Sequence, residues 1–131
     1  MLRPSCNLET VKDGRGAILT WVPPEPIVEF NLLEFRPSTV RGLHYHSHFI
    51  EYSMCVRGTG MFVYRENAED PKSEASLFMS KGFVVRIPSG VVHTIYSIDE
   101  LTIVAMLTNQ WDNSEPPIVQ VGTIPKPERI G

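Results

Sequence analysis

The chain has 131 residues, 42% of them hydrophobic and 21% charged, which is the balance of one soluble globular domain large enough to bury a core without staples. The formal net charge of −3 comes with no basic cluster to track a phosphate backbone, so nucleic acid is excluded as the expected partner. Two cysteines make no disulfide framework, Met1 to Asn7 hold no apolar leader core, and the apolar run 101–107 is too short to span a bilayer; a cytoplasmic, membrane-free protein is expected.

Residues 1–12 show no strong period and read as an arm or a loosely held first strand. Asp13-Gly14-Arg15-Gly16 is a turn, and 17–21 is a short strand after it. Pro23-Pro24-Glu25-Pro26 rules out helix and central strand and predicts a linker over the surface. An apolar-rich strand follows at 27–35, closed by Pro37-Ser38. The next strands are 40–46 and 51–57, then a tight turn at Gly58-Thr59-Gly60 and a hairpin partner at 61–65. The charged stretch 66–74 is a solvated loop. Strands at 75–79, 83–87, 92–98 and 101–107 complete the set. No window carries a helical period with caps, and no internal repeat is present. Beyond Trp111 the chain turns polar and Pro-rich, as a tail that packs outside the domain or on a neighbour. Roughly eight or nine short strands between Gly and Pro turns predict an all-β sandwich or barrel. The expected organisation is a single domain over 1–131, with a core of about 27–108, an arm at 1–12 and a tail at 112–131.

Three of the four histidines fall in Arg41-Gly42-Leu43-His44-Tyr45-His46-Ser47-His48, two residues apart, with Glu51 close behind. Residues two apart on a strand share a face, so His44 and His46 project side by side. Paired imidazoles beside a carboxylate begin a divalent-metal site, and His93, after the turn Pro88-Ser89-Gly90, is placed to return a final ligand. Glu51 has the opposite parity, but a turn over 47–50 resets the phase and lets it open the next strand facing inward. His48 shares the parity of His46 and is read as a rim residue. Cys55 is read as a small buried core residue. Arg41 lies at opposite parity to His44 unless Gly42 bends the strand, and is read as a structural surface residue.

These residues resemble the cupins, which are small jelly-roll barrels. His44, His46, Glu51 and Gly58 match the first cupin motif in order and spacing. Gly82, Pro88, Gly90 and His93 match the second, with Ser97 where the family has Asn and Ser38 where its first motif has an earlier Gly. The resemblance implies an all-β, single cupin jelly-roll barrel of two antiparallel sheets with little or no helix. It also implies His44, His46, Glu51 and His93 as ligands of manganese, iron, nickel or zinc. Ser97, four residues beyond His93, is then expected to leave room beside the ion.

A narrower likeness is carried by Asp13-Gly14-Arg15-Gly16, Asn31 and Arg41-Gly42-Leu43-His44-Tyr45-His46. These look like the opening of the dTDP-4-dehydrorhamnose 3,5-epimerases and like the Arg-Gly-x-His-x-His of the dTDP-sugar 3,4-ketoisomerases. The epimerases have Gln at the place of His46 and a lysine on the next strand that this chain lacks.

The leading expectation is therefore a metal-dependent isomerase or epimerase of a carbohydrate or nucleotide-linked sugar, with His44, His46 and Glu51 catalytic. In it, Glu51 or a hydroxide on the ion moves the proton. Three alternatives stand beside it: a metal-free nucleotide-sugar isomerase with His44 and His46 as acid and base, a non-haem dioxygenase, and a non-enzymatic sensor of a small ligand or metal. Cupins of this size suggest a homodimer, for which strand 27–35 and the tail are a fitting interface.

Overall fold

A computed structural model describes residues 5–122, and within them the chain is a jelly roll of two five-stranded antiparallel sheets with a separate two-stranded hairpin. In chain order the strands are β1 (Ser5–Asn7), β2 (Glu9–Asp13), β3 (Gly16–Thr20), β4 (Glu29–Phe35), β5 (Val40–Tyr45) and β6 (Glu51–Arg57). They continue as β7 (Gly60–Arg65), β8 (Glu74–Met79), β9 (Phe83–Ile87), β10 (Val92–Ser97), β11 (Leu101–Leu107) and β12 (Val119–Gln120). One sheet runs β1-β9-β6-β11-β4, the other β12-β5-β10-β7-β8, and β2 pairs with β3. The described residues hold two single-turn 3₁₀ segments, Pro71–Ser73 and Trp111–Asn113, and no helix long and apolar enough to cross a membrane.

Alternation fixes which side chains meet inside. In β11 Leu101, Ile103, Ala105 and Leu107 are buried, while the residues between them are half-exposed. Ile103 lies in register with Leu33 and Cys55, so an apolar row crosses three strands of the first sheet. Opposite it, Ile95 pairs with Phe62, and both are buried. Phe35, Met79, Phe83 and Leu101 close that end of the barrel. Burying side chains of this size contributes about 1.5–3 kcal/mol each, so this apolar end carries the fold.

The rows change character toward the other end. Ala105 is flanked by Asn31 and Ser53, and Leu107 by Glu29 and Glu51. In the second sheet His93 pairs with Tyr64 on one side and with His44 on the other. Polar side chains are thus gathered where β5 and β11 end and β6 and β10 begin.

The segments read as arm, linker and tail all touch the barrel. β1 is an outer strand beside β9, and the hairpin turn at Asp13 is closed by its own residues, with Arg15 N–H donating to Asp13 Oδ1 at 2.8 Å. The Pro-rich linker is docked by Glu25, which accepts from the Tyr52 hydroxyl at 2.7 Å and from Arg86 Nε at 2.8 Å. The tail returns as β12 alongside β5, antiparallel, with Val119 opposite Tyr45 and Gln120 opposite His44. Residues 123–131 of the tail lie outside the described residues.

Candidate metal centre

Three imidazoles converge at the polar end. Ligand-capable atoms of His44, His46 and His93 lie within 4.8 Å of one another. The rings meet at centroid distances of 5.1 Å (His44–His46), 4.8 Å (His44–His93) and 5.0 Å (His46–His93). Corners of a triangle of that side stand about 2.8 Å from its centre, against about 2.0–2.1 Å for a zinc–imidazole bond, so small ring rotations close the gap. Glu51 joins the group through His46, with Oε1 3.0 Å from Nε2, while its other oxygen accepts from Ser53 Oγ at 2.7 Å.

Each donor is aimed by its surroundings. His93 is the second residue of β10, fed in by the turn Pro88-Ser89-Gly90, whose Gly90 has φ +86° and donates its N–H to the His46 carbonyl at 2.8 Å. The turn after β5 buries Phe49, which stacks on the His46 ring at 4.3 Å and brings Glu51 in as the first residue of β6. Glu51 faces inward, in register with buried Leu107 and Ile87. The Nδ1–H of His46 donates to the Pro117 carbonyl at 2.9 Å, and that of His93 to the Val91 carbonyl at 3.0 Å. A carbonyl only accepts, so both rings carry their proton on Nδ1 and turn a bare Nε2 lone pair inward, the arrangement that prepares imidazole for a metal.

For His46 this leaves a buried Nε2 without a hydrogen-bond partner, although a carboxylate oxygen stands 3.0 Å away. With Nδ1 committed to Pro117, two lone pairs face each other across that distance. Only a cation between them, or a second proton on the ring, makes the contact favourable. The donor set therefore fits a divalent ion of the borderline class that accepts imidazole and carboxylate.

Electrostatics keep His44 and His93 unprotonated. Burial holds His44 down to about 4, helped by repulsion from His93 and His46 and opposed by Glu51. His93 is likewise lowered by burial, against the attraction of Glu51. Burial pushes Glu51 upward, but the His46 contact once it holds a second proton, the nearby His93 and the Ser53 hydroxyl outweigh it and hold the carboxyl at about 2. A depressed histidine means that the unfolded chain binds more protons than the native one. His44 and His93 thus contribute stability that is complete above about 6.5 and is lost as pH falls through their native values. Glu51 adds a loss of the same sign below 4.5. The melting temperature of metal-free protein should fall steadily from pH 6.5 toward 4. A flat profile across that window contradicts the neutral buried imidazoles.

Comparison with known proteins fits this architecture. The model of the family described as polysaccharide biosynthesis C-terminal domain matches residues 11–117. The chain belongs to that family. No curated protein matches the sequence. Among solved structures, a 3'-monoepimerase from Streptomyces bikiniensis in complex with dTDP-quinovose superposes with a TM-score of 0.76 at 21% identity, over 88% of this chain and 67% of that one. The dTDP-4-dehydrorhamnose 3,5-epimerase of Sulfolobus tokodaii gives 0.74 at 17% identity, over 87% and 73%. A capsular polysaccharide assembling protein from Staphylococcus aureus gives 0.64 at 22% identity, over 86% of this chain and 32% of that one. The chain thus spans about a third of the capsular protein's length. At these identities the likeness is one of fold, the cupin jelly roll.

Other residues of this polysaccharide biosynthesis C-terminal domain are placed as follows. His48 is exposed and stands outside the imidazole cluster, its Nε2–H donating to the Glu115 carbonyl at 3.0 Å. Cys55 is wholly buried in the apolar core, its thiol pushed up by burial. Asn31 is on the inner face of β4, donating to Glu29 Oε2 at 2.9 Å. Arg41 is the exposed structural residue expected, but the parity expected for it and the place expected for Ser97 need correction. Gly42 pairs with Thr94 while His44 pairs with His93, so Leu43, at φ +59°, is an extra residue that bulges the strand. The bulge reverses parity and puts Arg41 in register with buried Ile95, on the face of His44. Its guanidinium bridges to β4, donating to the Glu34 carbonyl at 3.0 Å above the Phe35 ring. Ser97 does face inward, but four residues along a strand is about 13 Å. Its hydroxyl donates to the Arg36 carbonyl at 2.6 Å and accepts from Thr39 N–H at 2.9 Å, stitching the β4–β5 loop rather than bordering the histidines.

Sequence reasoning did not single out Trp111 and Pro117. Trp111 sets its ring 6.1 Å from His46, and its backbone N–H donates to Glu29 Oε1 at 3.0 Å. A large aromatic directly after the last barrel strand, followed by Pro116-Pro117 and an apolar alternation, was the available sign of a returning strap.

Proposed function

We propose that the chain is a metal-dependent enzyme of the isomerase or epimerase type, acting on a nucleotide-linked sugar. The observation that carries this reading is the pair of inward Nε2 lone pairs on His46 and His93, each fixed by an Nδ1–H bond to a backbone carbonyl and set against an ionised Glu51. The fold shared with sugar-nucleotide epimerases supports the substrate class.

In this reading His44, His46, His93 and Glu51 hold manganese, iron, nickel or zinc. A bound ion supplies Lewis-acid polarisation of a carbonyl next to the carbon that gives up its proton. His46, 2% exposed, and His93, 3% exposed, are sealed from substrate and orient the site. His44 is half-buried and neutral at physiological pH; with an ion bound its lone pair is committed, so it takes a proton only in the metal-free alternative. Glu51 stays ionised and contributes the negative charge. Asn31 and Glu29 line the inner face of β4, where they present hydrogen-bonding groups to a polyhydroxylated ligand. A second copy docked on β4 belongs to the same reading, because β4 is an outer strand of its sheet with Phe30 and Leu32 exposed.

The test is elemental analysis of protein purified without added metal, followed by incubation with keto sugar nucleotides in deuterated water. Exchange of a carbon-bound proton that stops on chelation is the expected result. Exchange that survives chelation transfers the chemistry to His44 as an acid–base residue alone. No exchange across the panel overturns the isomerase reading.

A further inference from the structure

The tail segment 114–121 lies antiparallel to the histidine strand, and its pairing changes kind along its length. Gln120 and Val119 pair with His44 and Tyr45 as ordinary strands, and Val121 N–H donates to the Leu43 carbonyl at 3.0 Å. Ahead of Val119 stand Pro116 and Pro117, which have no N–H to give. This part of the strap presents carbonyls only, and imidazole N–H groups answer them. His46 Nδ1–H reaches the Pro117 carbonyl at 2.9 Å, and His48 Nε2–H reaches the Glu115 carbonyl at 3.0 Å. The two bonds are two residues apart on both partners and continue the ladder with side chains. Among the described residues, these are the hydrogen bonds that hold the stretch from Glu115 to Pro117 to the barrel.

We infer that His48 is a positioning residue: by tying down the Glu115 carbonyl it keeps the Pro117 carbonyl on His46, and so keeps His46 in the Nδ1–H tautomer with Nε2 turned into the cluster. The role suits a side chain that is exposed, outside the cluster, and two residues beyond a ligand-type histidine in the segment that follows β5. A neutral hydrogen bond biases a tautomer pair by about two- to tenfold, enough to decide which nitrogen faces inward. The inference rests on the metal reading only for its consequence, since the tautomer can be observed without an ion.

The experiment is ¹⁵N NMR of the imidazoles in full-length, chelator-treated protein at about pH 8, where an unperturbed imidazole is neutral. Wild type should show His46 protonated on Nδ1. His48→Ala should raise the Nε2–H share of His46 by about two- to tenfold, with the melting temperature little changed because the side chain is exposed. His48→Gln, whose amide nitrogen reaches the place of Nε2, should restore the wild-type spectrum. In a parallel Zn²⁺ titration, His48→Ala should weaken affinity by no more than about two- to tenfold, the size of the tautomer shift, and His48→Gln should recover it. An unchanged His46 tautomer in His48→Ala, or a His48→Gln protein that behaves like the Ala variant, overturns the inference. Wild type that takes up no Zn²⁺ while the tautomer shifts as expected supports the positioning role and sinks the metal reading instead.

Discussion

Gly42→Ala should lower stability by roughly 2–6 kcal/mol, the combined scale of a Gly-only backbone conformation and an overpacked contact. Gly42 has φ +119°, and a Cβ there stands 2.6 Å from the His93 carbonyl oxygen and 2.9 Å from the Thr94 Cα. Both neighbours are backbone of the paired strand, so neither can swing aside. The bulge that sets His44 opposite His93 begins at this residue, and forcing it open separates the two rings along with the strands. Thermal melting should show a drop on the order of 10–20 °C. Gly14→Ala is the control, because nothing lies within 4 Å of its Cβ position. A Gly42→Ala protein that melts with wild type means that the bulge is not the arrangement in solution.

His93→Ala should abolish tight uptake of divalent metal while the chain stays folded. Loss of an outer partner of a metal ligand costs about 10- to 100-fold in affinity, so loss of the ligand itself should exceed the upper figure. The fold should survive because His93 borders the polar end, away from the row through Ile103, Leu33 and Cys55. The vacated space, lined by His44, His46 and Glu51, is polar enough to admit water. Metal titration by calorimetry beside thermal melting of the chelated protein separates the outcomes. Unchanged metal affinity removes His93 from the donor set, and an unfolded variant makes it chiefly a structural residue.

Period-two patterning made most of the barrel legible. The strands read at 51–57, 83–87 and 101–107 coincide with β6, β9 and β11, where buried and half-buried residues alternate or apolar residues run together. The His-x-His spacing similarly foretold that His44 and His46 meet. Parity counting failed at Arg41, because an extra residue in a bulge reverses every face before it, and Leu43 at φ +59° carries no composition cue of its own. It failed differently at Ser97, where the face was right but the depth along the strand was not considered. The strap was illegible for a third reason. From Glu115 to Pro117 its pairing with the barrel runs through side-chain N–H groups to backbone carbonyls, a pattern with no hydrophobic period, and only the short apolar alternation after Pro117 hinted at β12.

In the metal-dependent reading, the division of the barrel into an apolar end and a donor end bears on how an ion is chosen. The residues that supply the folding free energy, among them Phe62, Ile95, Ile103 and Leu101, do not overlap with the donors, so the receptor is finished before any guest arrives. Chelation should then leave a native chain, unlike small zinc domains that lose their structure with the metal. A cavity completed in advance does not select by reshaping itself, and competing divalent ions should rank by their intrinsic order from manganese up to copper. In that case the ion recovered with the protein would be a record of supply during its synthesis, not of a preference built into the barrel.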